Sequence, residues 1–311
     1  MTDTIIGIDI SKDQLDVRRL PDNASRQFEN AKAGHKALIG WIGTGQVRVV
    51  YEATGPYHRQ LEVALASAGL PIVKVNPRQA RRFAEATGKL AKTDRLDAAM
   101  LARMGALLAL EPRSVRNTIL NDLKDLQVAR EALVKDRTAA RNRAKTLALP
   151  LLKNQNRARL DQIGEQLAAL DQAISEVIAS DPVLSRRLAI LSSIPGVAAV
   201  SAAMLITEMP ELGSLGAKQA AALAGLAPIA RQSGQWKGKA FVQGGRKQVR
   251  RSLYMPALVA MRFNPDLKAK YNQLVAAGKA PKQAITAIMR KIIVLANALI
   301  KSDRPWKNRM A

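Results

Sequence analysis

Apolar runs and alternating patterns dominate the first third of the chain. Thr4–Ile10 is an apolar, β-branched run, and Leu15–Leu20 follows it after the turn-like Ser11-Lys12-Asp13. Ser25–Glu29 has the length of a third, short strand, and Val47–Tyr51 and Pro71–Val75 read as buried strands. Between them Lys32–Ile42 and Tyr57–Ala68 carry helical spacing, which resumes after Pro77 and again from Thr93 to about Leu110. Strands first, then alternating helix and strand, predict a mixed α/β sheet with helices on its faces.

The pattern changes over residues 113–180, where the breakers are one glycine, Gly164, and one proline, Pro150. Leu160, Ile163, Leu167, Leu170, Ile174 and Val177 step by three and four, a heptad seam. Ile119, Leu123, Leu126, Leu133, Ala140 and Leu147 hold the same register, with Arg130 and Arg137 intruding. Two long helices joined near Pro150–Asn156 would form an antiparallel coiled-coil hairpin. It either packs on its own chain or also dimerises.

After Asp181-Pro182 the chain is mostly helical. Val183–Leu191, the turn Ile194-Pro195-Gly196-Val197 and Ala198–Met209 suggest a helix-hairpin-helix-like element, in which Gly196 turns the next helix's amides toward a phosphate. Gln219–Leu226, Arg246–Met261 and Pro281–Lys301 are further helices, and polar, glycine-rich Arg231–Gly245 is a β-hairpin or loop. Met204, Met209, Met255, Met261 and Met289 read as core, and His35 and His58 as helix-surface residues without a role. No stretch approaches the roughly 18 apolar residues of a membrane span, and the first residues lack the pattern of a signal peptide. Such a chain is expected to be soluble and cytoplasmic.

Charge sharpens this picture. The 311 residues carry 49 Lys+Arg against 25 Asp+Glu, a formal net charge of +24. From Arg231 onward there are 18 basic residues and two acids, Asp266 and Asp303. So lopsided an excess makes a polyanion the expected partner. Cysteine is absent, which excludes disulfides, thiol catalysis and cysteine-ligated metal, and two histidines are too few for a histidine-built metal site.

Acids stand where chemistry could use them. Asp9 ends the first strand, Glu52 follows a later buried strand, and Asp94 and Asp97 share a helix face at i, i+3. All-oxygen ligands of this kind select Mg²⁺ or Mn²⁺, and two such ions serve phosphodiester chemistry. Taken singly, each acid could be a surface residue or part of a helix start. Ser233, in Arg231-Gln232-Ser233-Gly234, is either a turn residue or a nucleophile. Arg231, Lys237, Lys239, Arg246, Lys247, Arg250 and Arg251 supply positive charge around it for nucleic-acid phosphate, and Trp236 could stack on a base or pack in a core.

Gly7-Ile8-Asp9-Ile10-Ser11-Lys12, Tyr51-Glu52-Ala53-Thr54-Gly55-Pro56-Tyr57 and Lys92-Thr93-Asp94-Arg95-Leu96-Asp97-Ala98 resemble the motifs of the DEDD insertion-sequence transposases (the IS-one-ten family). Leu191-Ser192-Ser193-Ile194-Pro195-Gly196-Val197 and Leu223-Ala224-Gly225-Leu226-Ala227-Pro228 resemble motifs of that family's C-terminal domain. The resemblance implies an α/β ribonuclease-H/RuvC-like domain and a C-terminal transposase domain; with the heptad pattern this divides the chain into that domain over 1–112, the coiled-coil hairpin over 113–180 and a basic, mostly α transposase domain over 181–311. It implies Asp9, Glu52, Asp94 and Asp97 as metal-holding catalytic acids, and Ser233 as a nucleophile that forms a phosphoserine link to DNA. Its further implications are DNA ends and target as substrates, a structured bridge RNA as guide, and a dimer that becomes a tetramer on paired DNA. The competing readings are a Holliday-junction-type or structure-selective nuclease that hydrolyses DNA with the four acids alone, and a nucleic-acid-binding protein whose acids are vestigial.

Overall fold

The computed structural model describes residues 4–43, 45–52, 55–88, 94–108, 110–112, 118–238 and 240–307, with only the backbone of residues 94, 95, 236 and 237. The chain divides into two compact units, Met1–Arg116 and Asn117–Ala311.

In the first unit β1 (Thr4–Ile10), β2 (Gln14–Leu20) and β3 (Ser25–Glu29) form an antiparallel meander. Helix α1 (Lys32–Ile42) leads to β4 (Val47–Glu52), which pairs parallel with β1; α2 (Arg59–Ser67) leads to β5 (Ile72–Val75), parallel with β4. The sheet order is β3-β2-β1-β4-β5. Helices α3 (Pro77–Ala86) and α4 (Asp94–Leu107) complete the unit. Helix α3 starts at Asn76, whose side chain accepts from the Arg78 amide ahead of the N1 proline.

Strand period two sorts the sheet residues onto two faces. Ile6, Ile8, Ile10, Val49 and Tyr51 pack with Leu38, Leu61 and Leu65 of α1 and α2. Ile5, Val50, Val73 and Val75 pack with Ala80 of α3 and Leu101 and Met104 of α4. Helices thus cover both faces, the α/β ribonuclease-H/RuvC-like class expected for this part of the chain.

The second unit begins with two long helices, α5 (Thr118–Ala144) and α6 (Pro150–Ala179), packed side by side. Pro150–Asn156, expected at their joint, lies inside α6; residues 145–149 make the turn, because a proline at N1 starts a helix rather than breaking one. Ile163, Leu167 and Ile174 of the seam are buried within the chain. The intruding Arg130 is answered across the pair by Asp171, 2.6 Å away.

Next come α7 (Pro182–Ser192), α8 (Ala199–Glu208) and α9 (Ala217–Leu223). Short strands β6 (Pro228–Ile229), β7 (Gln232–Ser233), β8 (Trp236–Lys237) and β9 (Phe241–Val242) follow, then α10 (Lys247–Ser252), α11 (Tyr254–Phe263), α12 (Pro265–Ala276) and α13 (Pro281–Lys301). The single helix expected over Arg246–Met261 is two, broken at Leu253. Pro256 explains the break, since its ring cannot donate to, and collides with, the carbonyl four residues back. Helix α12, which the apolar pattern does not predict, is signalled by Asn264, whose side chain accepts from the Leu267 amide, and by Pro265. Met255, expected in the core, is 62% exposed.

Helix α13 corrects the membrane expectation. Its 21 residues are long and apolar enough to cross a bilayer by length and composition alone. It is the central core helix of this unit, contributing Ile285, Ile288, Met289, Ile292, Ile293, Ala296 and Leu299 to the buried cluster.

Candidate active site

Glycine builds the first part of the site. A Cβ on Gly7 would lie 2.2 Å from the Ala98 carbonyl oxygen and 2.4 Å from the Ala102 nitrogen, so α4 lies directly on β1. Nearer the other end of the helix, a Cβ on Gly105 would meet Ile5 and Val50. Helix α4 therefore runs opposite to β1, and its first turn, with Asp94 and Asp97, reaches the strand's carboxyl end.

Acids occupy that end of the sheet. Ile8 is level with Tyr51 in the parallel pair, so Asp9 and Glu52 come next on adjacent strands. By alternation both lie on the face that α4 covers, Asp9 with Ile5 and Gly7, Glu52 with Val50. Asp9, Glu52 and Asp97 are half-buried, and each makes polar interactions. The Asp94 side chain lies outside the described residues. Among the described residues no three acids or histidines stand close enough to hold a metal ion. The chemistry of the donor set, oxygen only, suits a hard divalent cation.

One further acid carries no sequence signal. Asp16 is the antiparallel partner of Asp9, which places it on the same face, one strand further along. Gln27 approaches it at 3.4 Å. No motif or spacing marks Asp16; only the β1–β2 register does.

Ser233 stands on a small hairpin of the second unit. It pairs with Trp236 across a two-residue turn in which Gly234 has φ +55°, the positive φ a tight hairpin turn requires at its first central residue. The serine is exposed. The β6–β9 pair continues the hairpin, the Gly238 amide donates to the Arg231 carbonyl at 2.9 Å, and the Arg231 guanidinium lies 4.5 Å from the Phe241 ring centroid.

Residues 6–150 match a family model described as "Transposase" (the DEDD domain), and residues 188–272 match "Transposase IS116/IS110/IS902 family". A pilin gene-inverting protein of Moraxella bovis is 31% identical over 100% of this chain and 99% of its own length. The chain belongs to the IS110 transposase family. The Moraxella lacunata counterpart is likewise 31% identical over the same shares. A Streptomyces coelicolor protein of the insertion element IS110 is 29% identical over 49% of this chain and 37% of its own. T. thermophilus RuvC, solved with a Holliday junction substrate, matches 36% of this chain and 99% of its own at 12% identity and a TM-score of 0.27, too slight to carry weight. This transposase is therefore an enzyme of DNA recombination.

The basic residues of the transposase divide by surroundings. The Arg246 guanidinium is held by Glu211, 2.6 Å away, and by the Glu208 carbonyl, and Arg250 donates to the Gly225 and Gly244 carbonyls. These two fasten α8, α9 and the hairpin to α10. Arg251 pairs with Glu131 of α5 at 2.8 Å. Arg231 and Lys247 are exposed. Lys239 lies outside the described residues, as do the side chains of Lys237 and Trp236. Gly196, with φ +97°, faces α11: a Cβ there would lie 2.6 Å from the Pro256 carbonyl oxygen. The amides of the α8 start belong to exposed Ala198, Ala199 and Val200.

The two histidines, expected on helix surfaces, are buried at 3% and 8% exposure. His35 Nε2 meets the Asn30 side-chain oxygen at 2.8 Å, while the Asn30 amide donates to the Ser11 and Tyr57 carbonyls. His58 Nδ1 lies 3.0 Å from the Gly55 carbonyl, and Nε2 2.6 Å from Lys74 Nζ. A carbonyl only accepts, so Nδ1 donates to Gly55, while Nε2 faces both the Lys74 ammonium and, at 3.3 Å, the Glu62 carboxylate. Burial, then the Lys74 charge, hold the His58 pKa below its ordinary value, with Glu62 opposing. Lys74 also donates to Glu62 at 3.2 Å, and Tyr51 stacks on the ring at 5.8 Å. Burial first, then the Glu62 charge, push the Tyr51 pKa up. This cluster holds Gly55 and His58 against Tyr51 and Lys74, on the face of the sheet opposite the acids.

Proposed function

We propose that this transposase cuts and rejoins DNA through a phosphoserine intermediate on Ser233, assisted by the acids Asp9, Glu52, Asp94 and Asp97. One observation carries the reading: Asp9 and Glu52 stand side by side at the strand ends where the first turn of α4 brings Asp94 and Asp97. The Ser233 oxygen attacks phosphorus, its proton leaves, and the bond from phosphorus to a deoxyribose oxygen breaks, that oxygen taking up a proton. Attack by a sugar hydroxyl of another strand reverses the step, so joining needs no external energy source. Held by the four acids, Mg²⁺ or Mn²⁺ would neutralise charge on the reacting phosphate.

The Moraxella relatives' name supports a site-specific rearrangement in which a DNA segment is released and rejoined. The family resemblance supports a structured bridge RNA as guide, an oligomer as working form and the cytoplasm as location. The basic residues Arg231, Lys237, Lys239, Lys247 and Arg251 would neutralise phosphates of these nucleic acids.

The test is a denatured reaction mixture of protein, element-end DNA and flanking transcript. The parent is expected to show protein joined to a DNA end at Ser233, whereas Ser233→Ala binds DNA and forms neither adduct nor recombinant. Asp94→Asn should also suppress the adduct. If Ser233→Ala releases free ends as fast as the parent, water is the nucleophile and the nuclease reading replaces this one.

A further inference from the structure

The long α5–α6 hairpin is electrically polarised along its length. Its base, residues 118–136 and 161–179, carries eight acids against three cations. Its tip, residues 137–160, carries Arg137, Arg141, Arg143, Lys145, Lys153, Arg157 and Arg159 and no acid at all. All but Arg137 of these are exposed, and among the described residues none forms a salt bridge. The base is rich in acids, yet the tip is left without any to compensate it.

The tip also stands away from the rest of the second unit. The hairpin residues that enter the core, Leu123, Ile174 and Ile178, lie at its base. From Ile174 back to Pro150 a helix rises about 36 Å. The end is nonetheless ordered, because the buried Asn156 side chain donates to the Ala140 carbonyl at 3.2 Å and so fixes α6 against α5. Arg141 and Arg157, one residue further along each of these antiparallel helices, therefore sit within about 3 Å of one another along the hairpin axis, on helices about 8–10 Å apart. Among these cations Leu149 and Leu151 are 63% and 66% exposed.

We infer that the hairpin tip is a docking surface for the phosphate backbone of duplex DNA, separate from the serine hairpin and resting on the reading that this protein recombines DNA. A second copy of the tip is a poor occupant, since it would bring two unneutralised cationic ends together. A single-stranded nucleic acid is also a poor one: residues 137–160 contain no Phe, Trp or Tyr on which bases could stack. Exposed leucines ringed by cations are instead the equipment of proteins that grip duplex DNA by its backbone and wedge an apolar side chain at a base step. A surface so far from the core would hold DNA flanking the site of chemistry and leave the reacting strand free to move.

The experiment measures binding of a 30-base-pair DNA duplex to the full-length protein as a function of salt. It compares the parent with a variant carrying Arg141→Ala, Arg143→Ala, Lys153→Ala and Arg157→Ala. Every phosphate that a removed cation no longer neutralises flattens the slope of log affinity on log salt by about 0.9, so the variant's slope should be shallower by up to about 3.6. Helix content should be unchanged, because alanine is the best helix former. Equal affinity and slope for parent and variant would overturn the inference and leave the functional reading intact. A loss seen only with an RNA duplex, or a fall in particle mass without nucleic acid, would overturn it in favour of RNA or of a second copy. If the parent binds no duplex, the functional reading falls and this inference with it.

Discussion

At the scale of single residues, Gly7 does as much for the acid site as the acids themselves. Its missing side chain lets α4 lie on β1, and that close approach determines where Asp97 stands relative to Asp9. Gly7→Ala would drive a methyl group into the Ala98 carbonyl and the Ala102 amide, backbone atoms that cannot rotate away. Overpacking of this kind costs about 1–3 kcal/mol. Denaturant unfolding should show that loss, and recombination should fall even in the fraction that remains folded, because α4 must lift. Parent-like activity at reduced stability would mean that the helix start is free of the chemistry.

The buried histidines yield a pH prediction on the same scale. Burial holds both His35 and His58 below the ordinary value of 6.5. The unfolded chain therefore binds more protons near and below that pH, so stability is full above about 6.5 and falls as pH drops. The slope contributed by each ring is at most about 1.4 kcal/mol per pH unit. His35→Gln with His58→Gln should flatten the stability profile between pH 7 and 5 relative to the parent; an unchanged profile would place the acid sensitivity elsewhere. Neither burial nor partner is legible in the sequence. The groups that enclose His58 come from a separate strand and helix face, and no local pattern announces Lys74 sixteen residues away. Asp9 and Glu52 are legible because each ends an apolar strand, whereas Asp16 emerges only from the hairpin register.

Among elements, the pieces whose apolar period is local are the ones that the sequence predicts most accurately. β1, α1 and α13 have the bounds that their spacing predicts, since each buries one continuous face or stripe; β3 also has its expected bounds, although it buries only Phe28. The break between α10 and α11 shows the limit of that reasoning: helical periodicity runs across Leu253, and the proline that interrupts it acts one turn upstream. The heptad seam is legible too, but its partner is not. Ile163, Leu167 and Ile174 are buried within one chain, whereas Leu160, Leu170 and Val177 of the same seam stay partly exposed, and the buried three are expected to serve the chain's own core. Leu167→Ala should then cost about 2–5 kcal/mol of the second unit's stability, as a buried leucine does. Light scattering should report an unchanged mass. A smaller particle at undiminished stability would instead show that the seam joins two copies.

At the scale of the whole molecule, acids and serine belong to different compact units, so which copies combine them can be asked by mixing. The acids of one subunit are expected to act with the serine of another. Two inactive proteins decide it: Ser233→Ala, with its acids intact, and Asp97→Asn, with its serine intact. In a mixed dimer built in trans, one site combines intact acids with an intact serine, and the other holds both lesions. Random pairing makes half the dimers mixed, each with one working site of two, so the adduct should return to about a quarter of the parent's. A site built within one chain gives no such rescue, because every chain in the mixture carries a lesion. Adduct formation is the readout to use, since a full exchange needs several working sites at once, whereas one cleavage needs one. Rescue from the co-purified pair, with neither protein active alone, would establish a shared site; silence from a verified mixed dimer would confine acids and serine to the same subunit.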